Sequence, residues 1–212
     1  MYTFEISIQR FDEFAREYAA RFSNIDAYLP SVDKFCGLLS SIKPRILELA
    51  CGPGNFTRYV KQRFPESEYI ATDLSPKMIE IARKQVKGVD FRTMDMRNIS
   101  GFDAGFDAIL CSFGLPFLSK SDAVKLIADC AKLLNKKGVI YLSTMEGDES
   151  MAGFETTSFS GDSKIYFNYH RQKDLETALT DHGFILCDIR RQDYLVPNGN
   201  SLIDMIFVGM KI

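Results

Sequence analysis

The 212-residue sequence contains no tryptophan, only two histidines and five cysteines, and each scarcity excludes a class of site. The cysteines are odd in number and scattered, and no pair has the CxxC spacing, so neither a disulfide framework nor a zinc site is predicted; they are Cys36, Cys51, Cys111, Cys130 and Cys187. With His170 and His182 as the only histidines, a histidine-based metal centre is also excluded. We therefore expect no metal.

An excess of one charge sign and a long apolar run are also missing. The 26 basic and 28 acidic residues give a formal net charge of −2, which disfavours binding to nucleic acid through phosphate neutralisation. The longest charge-free stretch, Ala108–Ser119, has 12 residues, whereas a membrane-spanning helix needs about 20. Residues 1–5 lack the basic start and apolar run of a secretory signal. We expect a soluble cytoplasmic protein, monomeric or homodimeric, that binds neither nucleic acid nor membrane.

The first 43 residues are predicted to form a helical cover. An apolar stripe at helical spacing places one helix there, with Phe11, Phe14, Ala15, Tyr18 and Phe22 on one face. A second helix is predicted from near Pro30 through Leu39, with the proline in its first turn.

From Arg45 onward, short apolar runs alternate with helical patterns. The runs predict strands at Arg45–Ala50, Tyr69–Asp73, Val89–Thr93, Phe106–Cys111 and Val139–Thr144. Helices are predicted between them at 56–64, 75–86 and 121–135. This alternation indicates right-handed crossovers and a parallel sheet that is covered on both faces.

The end of the chain departs from this alternation. A helix at Asp174–Asp181 is followed by strands at Phe184–Arg191 and Leu202–Met210, which the turn-rich segment 197–200 joins as an antiparallel hairpin. The segment 146–170 is predicted to form a short hairpin over the sheet edge, turning near residues 161–163.

The loop after the first strand carries a ligand-binding pattern. Open parallel sheets bind ligands beyond the carboxyl ends of their strands, and small residues at 50, 52 and 54 let the backbone approach a ligand. A dinucleotide motif, G-x-G-x-x-G from Gly52, would place Thr57 at its last position, which fits poorly. Glu48 at the strand end is unfavourable beside an anionic ligand and suits a ligand that carries a cation.

Glu48-x-Ala50-x-Gly52-x-Gly54 resembles the first motif of class I S-adenosylmethionine (SAM)-dependent methyltransferases, acid-x-G-x-G-x-G. SAM carries both an ammonium and a sulfonium. Ala50 replaces the first glycine of the motif, and we expect a conventional backbone angle there. The resemblance implies that the loop binds SAM through Glu48, Ala50, Cys51, Gly52, Gly54 and Asn55.

Three later segments resemble further motifs of the family in the right order. In Ala71–Met78, Asp73 lies 19 residues beyond Gly54 and is expected to accept the ribose hydroxyls, with Leu74 and Met78 as apolar contacts. The alternative is a simple helix cap after a strand. In Thr93–Met96 the resemblance implies that Asp95 accepts from the adenine amino group and Met96 covers the ring, although an aspartate there is often only a turn former. In Phe106–Phe113 it implies contacts near the methyl group from Cys111, Ser112 and Phe113.

The acceptor is expected to be a small molecule. The chain has neither the Asn/Asp-Pro-Pro-Tyr motif of amide and adenine-amino methylators nor a Pro-Cys dipeptide, so the nucleophile is left open among O, N, S and C. Tyr18 is a candidate for the amino-acid end of the cofactor, or it only continues the core stripe. Candidates for acceptor binding are Phe117, Tyr166, Tyr169 and His170. A catalytic residue is unknown; His170 is a weak candidate for a general base, against a surface or helix-capping role.

The sequence as a whole predicts one α/β domain over residues 1–212. The domain is a Rossmann-like, doubly wound, seven-stranded sheet, mostly parallel with an antiparallel last strand. Its parts are a helical N-terminal cover (1–43), a cofactor-binding core (44–145), a lid (146–170) and a C-terminal helix with a strand hairpin (171–212). The predicted function is methyl transfer from SAM to a small molecule, with S-adenosylhomocysteine (SAH) as product. Two alternatives stay open: an NAD(P)-dependent oxidoreductase on a related fold, and a SAM-binding sensor or subunit without catalysis.

Overall fold

A seven-stranded sheet with helices on both faces forms the body of the protein in a computed structural model that describes residues 2–156, 163–195 and 201–212. The strands of this sheet are β1 (Arg45–Leu49), β2 (Glu68–Asp73), β3 (Asp90–Thr93), β4 (Phe106–Cys111), β5 (Leu134–Met145), β8 (Phe184–Leu195) and β9 (Ser201–Lys211). The helices are α1 (Tyr2–Glu13), α2 (Ala15–Arg21), α3 (Leu29–Gly37), α4 (Asn55–Arg63), α5 (Pro76–Gln85), α6 (Lys120–Leu133) and α7 (Gln172–Asp181).

The order of the strands across the sheet is β3-β2-β1-β4-β5-β9-β8. Strands β1 to β5 are parallel, and β9 runs antiparallel to both of its neighbours. The predicted fold class and the antiparallel last strand are therefore confirmed. Because β2 and β4 lie on opposite sides of β1, the strand order reverses at β1, and a crevice opens at the carboxyl ends of these strands.

Apolar side chains on both faces of the central strands hold the helices against the sheet. Leu47 and Ile109 pack on the face covered by α6 and α7, whereas Ile46 and Ala108 pack on the face covered by α3, α4 and α5, and all four are fully buried. Since each strand is buried on two sides, its sequence is apolar at nearly every position rather than at alternate positions.

The part of the N-terminal cover that carries the apolar stripe forms two helices, α1 and α2, where the stripe predicted one, so this prediction was wrong. The helical backbone is interrupted at Phe14, which has φ −101° and ψ 25°. The two segments have different partners. Helix α1 packs on α5 and on the hairpin at 153–167, whereas the main packing of α2 between these two is on α5. The break lets each segment follow its own supporting surface.

The junction of α6 and β5 also differs from the prediction. The helix ends at Leu133, and β5 begins at Leu134, five residues before the predicted start at Val139. Leu134 is buried and pairs with Phe106 of β4, and the register then shifts before Val139 pairs with Ala108. Pairing with β4 thus extends β5 towards its start. The extended segment includes Lys136 and Lys137, which did not predict a strand.

The predicted lid is an antiparallel hairpin of β6 (Gly153–Thr156) and β7 (Lys164–Phe167). Its turn near 161–163 lies mostly outside the described residues, as does the predicted turn at 197–200. The hydroxyl of Ser7 on α1 accepts from the backbone N–H of Tyr166 at 3.1 Å and contacts its carbonyl at 3.3 Å. The lid and the N-terminal cover are therefore joined.

The described part of the chain has neither a membrane-spanning helix nor a cluster of metal-binding side chains. None of its helices combines the length and the hydropathy required to cross a bilayer. No group of three or more His, Cys, Asp or Glu side chains among these residues is arranged to hold a metal ion.

Candidate functional site

A cleft of about 610 Å³, part of which is open to solvent, lies at the carboxyl ends of β1, β2 and β4. It occupies the point where the strand order reverses. Many of the residues predicted to bind cofactor or acceptor line it, namely Tyr18, Ala50, Gly52, Asp73, Leu74, Met78, Asp95, Met96, Ser112, Phe113 and Phe117. The other lining residues are Phe4, Ile8, Phe11 and Met94.

The loop from β1 to α4 turns through three residues with left-handed backbone angles. Gly52 and Gly54 have φ values of 55° and 88°, and Ala50 has φ 52°. The expectation of a conventional angle at Ala50 was therefore wrong. A left-handed angle costs a residue with a Cβ roughly 1–2 kcal/mol. The surrounding structure holds the loop, because Cys51 donates its N–H to the carbonyl of Thr72 at 2.9 Å.

The two glycines of this loop serve different purposes. A Cβ on Gly54 would lie 3.2 Å from Cβ of Ala82, so Gly54 permits the close approach of α4 and α5. A Cβ on Gly52 would meet only a ring carbon of Tyr18, at 3.9 Å, and would project into the cleft. Gly52 therefore keeps space for a ligand, whereas Gly54 is a packing residue that does not line the cleft.

Asp73 presents a fixed carboxylate at the end of β2. Its Oδ2 accepts from the N–H of Gly52 and its Oδ1 accepts from the N–H of Ser75, both at 2.8 Å. Burial raises the pKa of Asp73, and these two backbone N–H groups oppose the rise. A carboxylate offers about four lone-pair sites, so each oxygen can accept one further hydrogen bond from a ligand. This arrangement suits a vicinal diol.

Asp95 is held by Arg97, two residues further along the chain. Its Oδ2 lies 2.6 Å from Nη2 of Arg97, and its Oδ1 accepts from the Arg97 backbone N–H at 2.9 Å. Burial raises the pKa of Asp95, but the hydrogen bonds from Arg97 outweigh burial and leave the pKa below its ordinary value. The Arg97 guanidinium also lies 3.7 Å from the ring centroid of Phe4. Asp95 caps the following 3-10 turn, which agrees with the turn-former alternative. Asp95 also lies on the cleft wall, which is compatible with the predicted adenine contact.

Glu48 lies beneath the loop rather than on the cleft wall. Its side chain is buried, and Oε2 accepts from the Tyr69 hydroxyl at 2.8 Å. Burial raises the pKa of Glu48 from an ordinary value of 4.5 to about 7. A cation bound in the cleft would favour its ionised form, but direct contact between Glu48 and the cofactor stays a prediction.

The buried Glu48 carboxyl should make the stability of the protein depend on pH. Because its pKa is raised on folding, the folded state retains a proton between about pH 4.5 and 7, and stability is lost as the pH rises through this window. The full rise corresponds to on the order of 3 kcal/mol. We expect Glu48→Gln to reduce the fall in melting temperature between pH 5.5 and 7.5, whereas Glu17→Gln, at an exposed position, should not. Identical pH profiles for wild type and Glu48→Gln would contradict this prediction.

Helix α1 forms the roof of the cleft. Phe4, Ile8 and Phe11 recur at spacings of four and three, so they lie on one helical face, and all three line the cleft. Asp12 ties α1 to the start of α5, since its Oδ1 accepts from the Ser75 hydroxyl at 2.7 Å and from a backbone N–H at 2.9 Å. The sequence patterns did not single out Phe4 or Ile8, although extending the apolar spacing back from Phe11 would have found both.

Near the end of β4, the ring of Phe113 contacts a polar pair that is partly buried, Tyr28 and Asp204. Phe113 has φ 54°, and its ring lies 5.3 Å from the ring of Tyr28. The Tyr28 hydroxyl donates to Oδ2 of Asp204 at 2.7 Å. Burial raises the pKa of Asp204 to about 6. Neither Tyr28 nor Asp204 belongs to a recognisable motif, so this pair could not be predicted from sequence patterns.

Besides Glu48 and Gly54, three predicted loop and strand residues do not line the cleft, namely Cys51, Asn55 and Cys111. Cys51 and Cys111 are buried, and burial raises the pKa of both thiols. The Asn55 amide donates to the carbonyl of Phe22 at 2.7 Å and so ties α4 to the end of α2. Their contact with a cofactor stays a prediction.

The lid residues Tyr166, Tyr169 and His170 do not line the cleft either. The Tyr169 hydroxyl donates to Oε1 of Glu155 at 2.6 Å, and Tyr166 binds Ser7 through its backbone. His170 is buried and its Nε2 lies 2.9 Å from the carbonyl oxygen of Leu115, which can only accept, so this nitrogen carries the proton. Burial lowers the pKa of His170 and keeps the ring neutral. The structure gives these residues structural contacts, and their acceptor-binding roles stay predictions.

Part of this chain resembles the sequences of known methyltransferases. Residues 46–138 match the methyltransferase domain family. A demethylmenaquinone methyltransferase of Thermotoga maritima is 36% identical over 102 residues, which cover 48% of this chain and 44% of that protein. A trans-aconitate 2-methyltransferase of Mycobacterium marinum is 41% identical over 80 residues, covering 34% and 30%. The chain thus spans less than half the length of these two curated relatives.

The fold is that of SAM-dependent methyltransferases. The magnesium protoporphyrin IX methyltransferase of Synechocystis, solved with bound SAM, superposes with a TM-score of 0.66 at 17% identity, covering 95% of this chain and 91% of that one. The segment 46–138 thus matches the methyltransferase domain family, and the fold around it is shared with solved SAM-dependent methyltransferases.

Proposed function

We propose that the protein transfers a methyl group from SAM to a small-molecule acceptor and releases SAH. The observation that carries the proposal is the Asp73 carboxylate, fixed on the cleft wall by the N–H groups of Gly52 and Ser75 with lone pairs left for two ribose hydroxyls. The family match to residues 46–138 supports it.

The cleft residues would hold SAM by three groups of contacts. Asp73 would accept the ribose hydroxyls, Asp95 and Met96 would bind the adenine, and the loop at Gly52 would lie along the amino-acid end. SAM supplies a methyl group on a sulfonium, from which a nucleophile displaces a neutral thioether. Ser112 and Phe113, at the end of β4, would then lie near the methyl group and align the acceptor with it.

Alignment alone can provide much of the rate acceleration. Effective molarities of about 10⁵ M or more correspond to roughly 7 kcal/mol of barrier lowering. A general base is needed only if the acceptor arrives protonated, as a hydroxyl or an ammonium. The lining of the cleft in the described residues, which includes no histidine, cysteine or lysine, is therefore compatible with methyl transfer.

A non-catalytic SAM sensor is the second candidate function. The same cleft lining is compatible with it, because a sensor and an enzyme would make the same contacts with the cofactor. An oxidoreductase is disfavoured: the position of the third glycine of a dinucleotide motif is taken by Thr57, whose side chain is fully buried.

Thermal unfolding with ligands should test the cofactor. At a ligand concentration of about 100 times Kd, a bound ligand adds roughly 2.7 kcal/mol of stability, which for a domain of this size raises the melting temperature by about 5–10 °C. We expect this rise with SAM and with SAH and no rise with NADH. A rise with NADH alone would favour the oxidoreductase. Release of SAH in the presence of a panel of acceptors then separates an enzyme from a sensor.

A further inference from the structure

The cleft continues from the proposed cofactor site into a wall of aromatic rings. We call Tyr18, Phe11, Phe117 and Phe167 the aromatic wall. The ring centroids of neighbours are 5.4 Å apart for Phe11 and Tyr18, 5.0 Å for Phe11 and Phe117, and 5.6 Å for Phe117 and Phe167. The rings come from α2, α1, the turn Leu115–Phe117 and β7, so the wall runs from the cofactor cleft to the lid.

The ionisable side chains among the described residues that line the cleft are all acidic. Among the described residues that line it, the ionisable acids are Asp73 and Asp95, and none is a lysine, arginine or histidine. The nearby Arg97 is engaged by Asp95 and by the ring of Phe4. Lys77, next to Met78 in the sequence, lies 3.7 Å from a carboxylate oxygen of Asp12.

We propose, on the basis of the proposed function, that the methyl acceptor is an uncharged, largely apolar molecule that binds against the aromatic wall. A cationic cofactor is compatible with two carboxylates. A polycarboxylate acceptor, in contrast, would leave water for a cleft whose described lining residues provide no cation to pair with it. An apolar acceptor gains from burial against the rings without such a cost. The names of the relatives do not decide this point, because demethylmenaquinone and trans-aconitate differ in polarity.

Fluorescence of N-phenyl-1-naphthylamine, an uncharged apolar probe, tests the inference in the presence of saturating SAH. We expect saturable binding of one probe per chain, and at least a fivefold weaker affinity in Phe117→Ala and in Phe11→Ala. Phe102→Ala is the matched control, because Phe102 packs on Phe106 at the amino end of β4, away from the cleft. Millimolar trans-aconitate should not displace the probe.

Two results would overturn the inference: probe affinity that is equal in wild type, Phe117→Ala and Phe11→Ala, or displacement of the probe by trans-aconitate. Calorimetric titration with SAH, run on the same proteins, separates this failure from failure of the proposed function. If wild type binds SAH but not the probe, only the acceptor class is wrong. If wild type does not bind SAH, the proposed function fails first, and the acceptor class fails with it.

Discussion

Replacement of Asp73 with alanine should weaken SAH binding about 10- to 100-fold. The substitution removes the carboxylate oxygens expected to accept the ribose hydroxyls, and charge-assisted hydrogen bonds contribute roughly 1.5–3 kcal/mol. Isothermal titration calorimetry of wild type and variant measures the effect. Asp90→Ala is a matched control, because Asp90 is an exposed acid on the neighbouring strand β3 and pairs with Arg92 at the surface. Its SAH affinity should not change.

Asp73 also supports the loop, since it accepts from the N–H groups of Gly52 and Ser75. The melting temperature of the ligand-free variant therefore has to accompany the titration. Asp73→Asn preserves the volume of the side chain and removes its charge, and it should also bind SAH more weakly. Unchanged SAH affinity in both folded variants would remove Asp73 from the site.

Replacement of Gly114 with alanine should lower the melting temperature by about 3–10 °C. A Cβ at this position would lie 2.6 Å from Sγ of Cys111 and 3.0 Å from both Cβ of Ala50 and Sδ of Met96. Overpacking of this kind costs roughly 1–3 kcal/mol, and each kcal/mol lowers the melting temperature of a chain of this size by about 2–4 °C. Because Ala50 and Met96 line the cleft, SAH affinity should fall as well.

Gly101→Ala is the control for this prediction, because a Cβ there would have no neighbour within 4 Å. Thermal unfolding monitored by circular dichroism compares the two variants with wild type. Equal melting temperatures for Gly101→Ala and Gly114→Ala would show that the space around Gly114 adapts to a methyl group, contrary to the prediction.

The central strands were predictable because burial on two faces makes them short apolar runs. The predicted bounds of β1, β2, β3 and β4 agree with the structure within one residue at each end. The break at Phe14 and the early start of β5 at Leu134 were not predictable. Both depend on which surfaces the segments meet, and local periodicity carries no information about that.

The cofactor side of the candidate site followed from motifs, whereas its roof did not. Gly52, Asp73, Asp95 and Ser112 come from these motifs and lie on the cleft wall, and their contacts with a cofactor stay predictions. Phe4 and Ile8 reach the cleft only because α1 is held by contacts with α5 and β7, which are distant in the sequence. The left-handed angle at Ala50 is likewise imposed by the surrounding fold rather than by any preference of alanine.

The attachment of α1 to the lid determines when the roof of the cleft can be fully anchored during synthesis on the ribosome. Residues 1–145 contain every segment that resembles a family motif, yet the roof is anchored in part by the bond between Ser7 and the backbone of Tyr166. This part of the anchor forms only after the chain has been synthesised beyond β7.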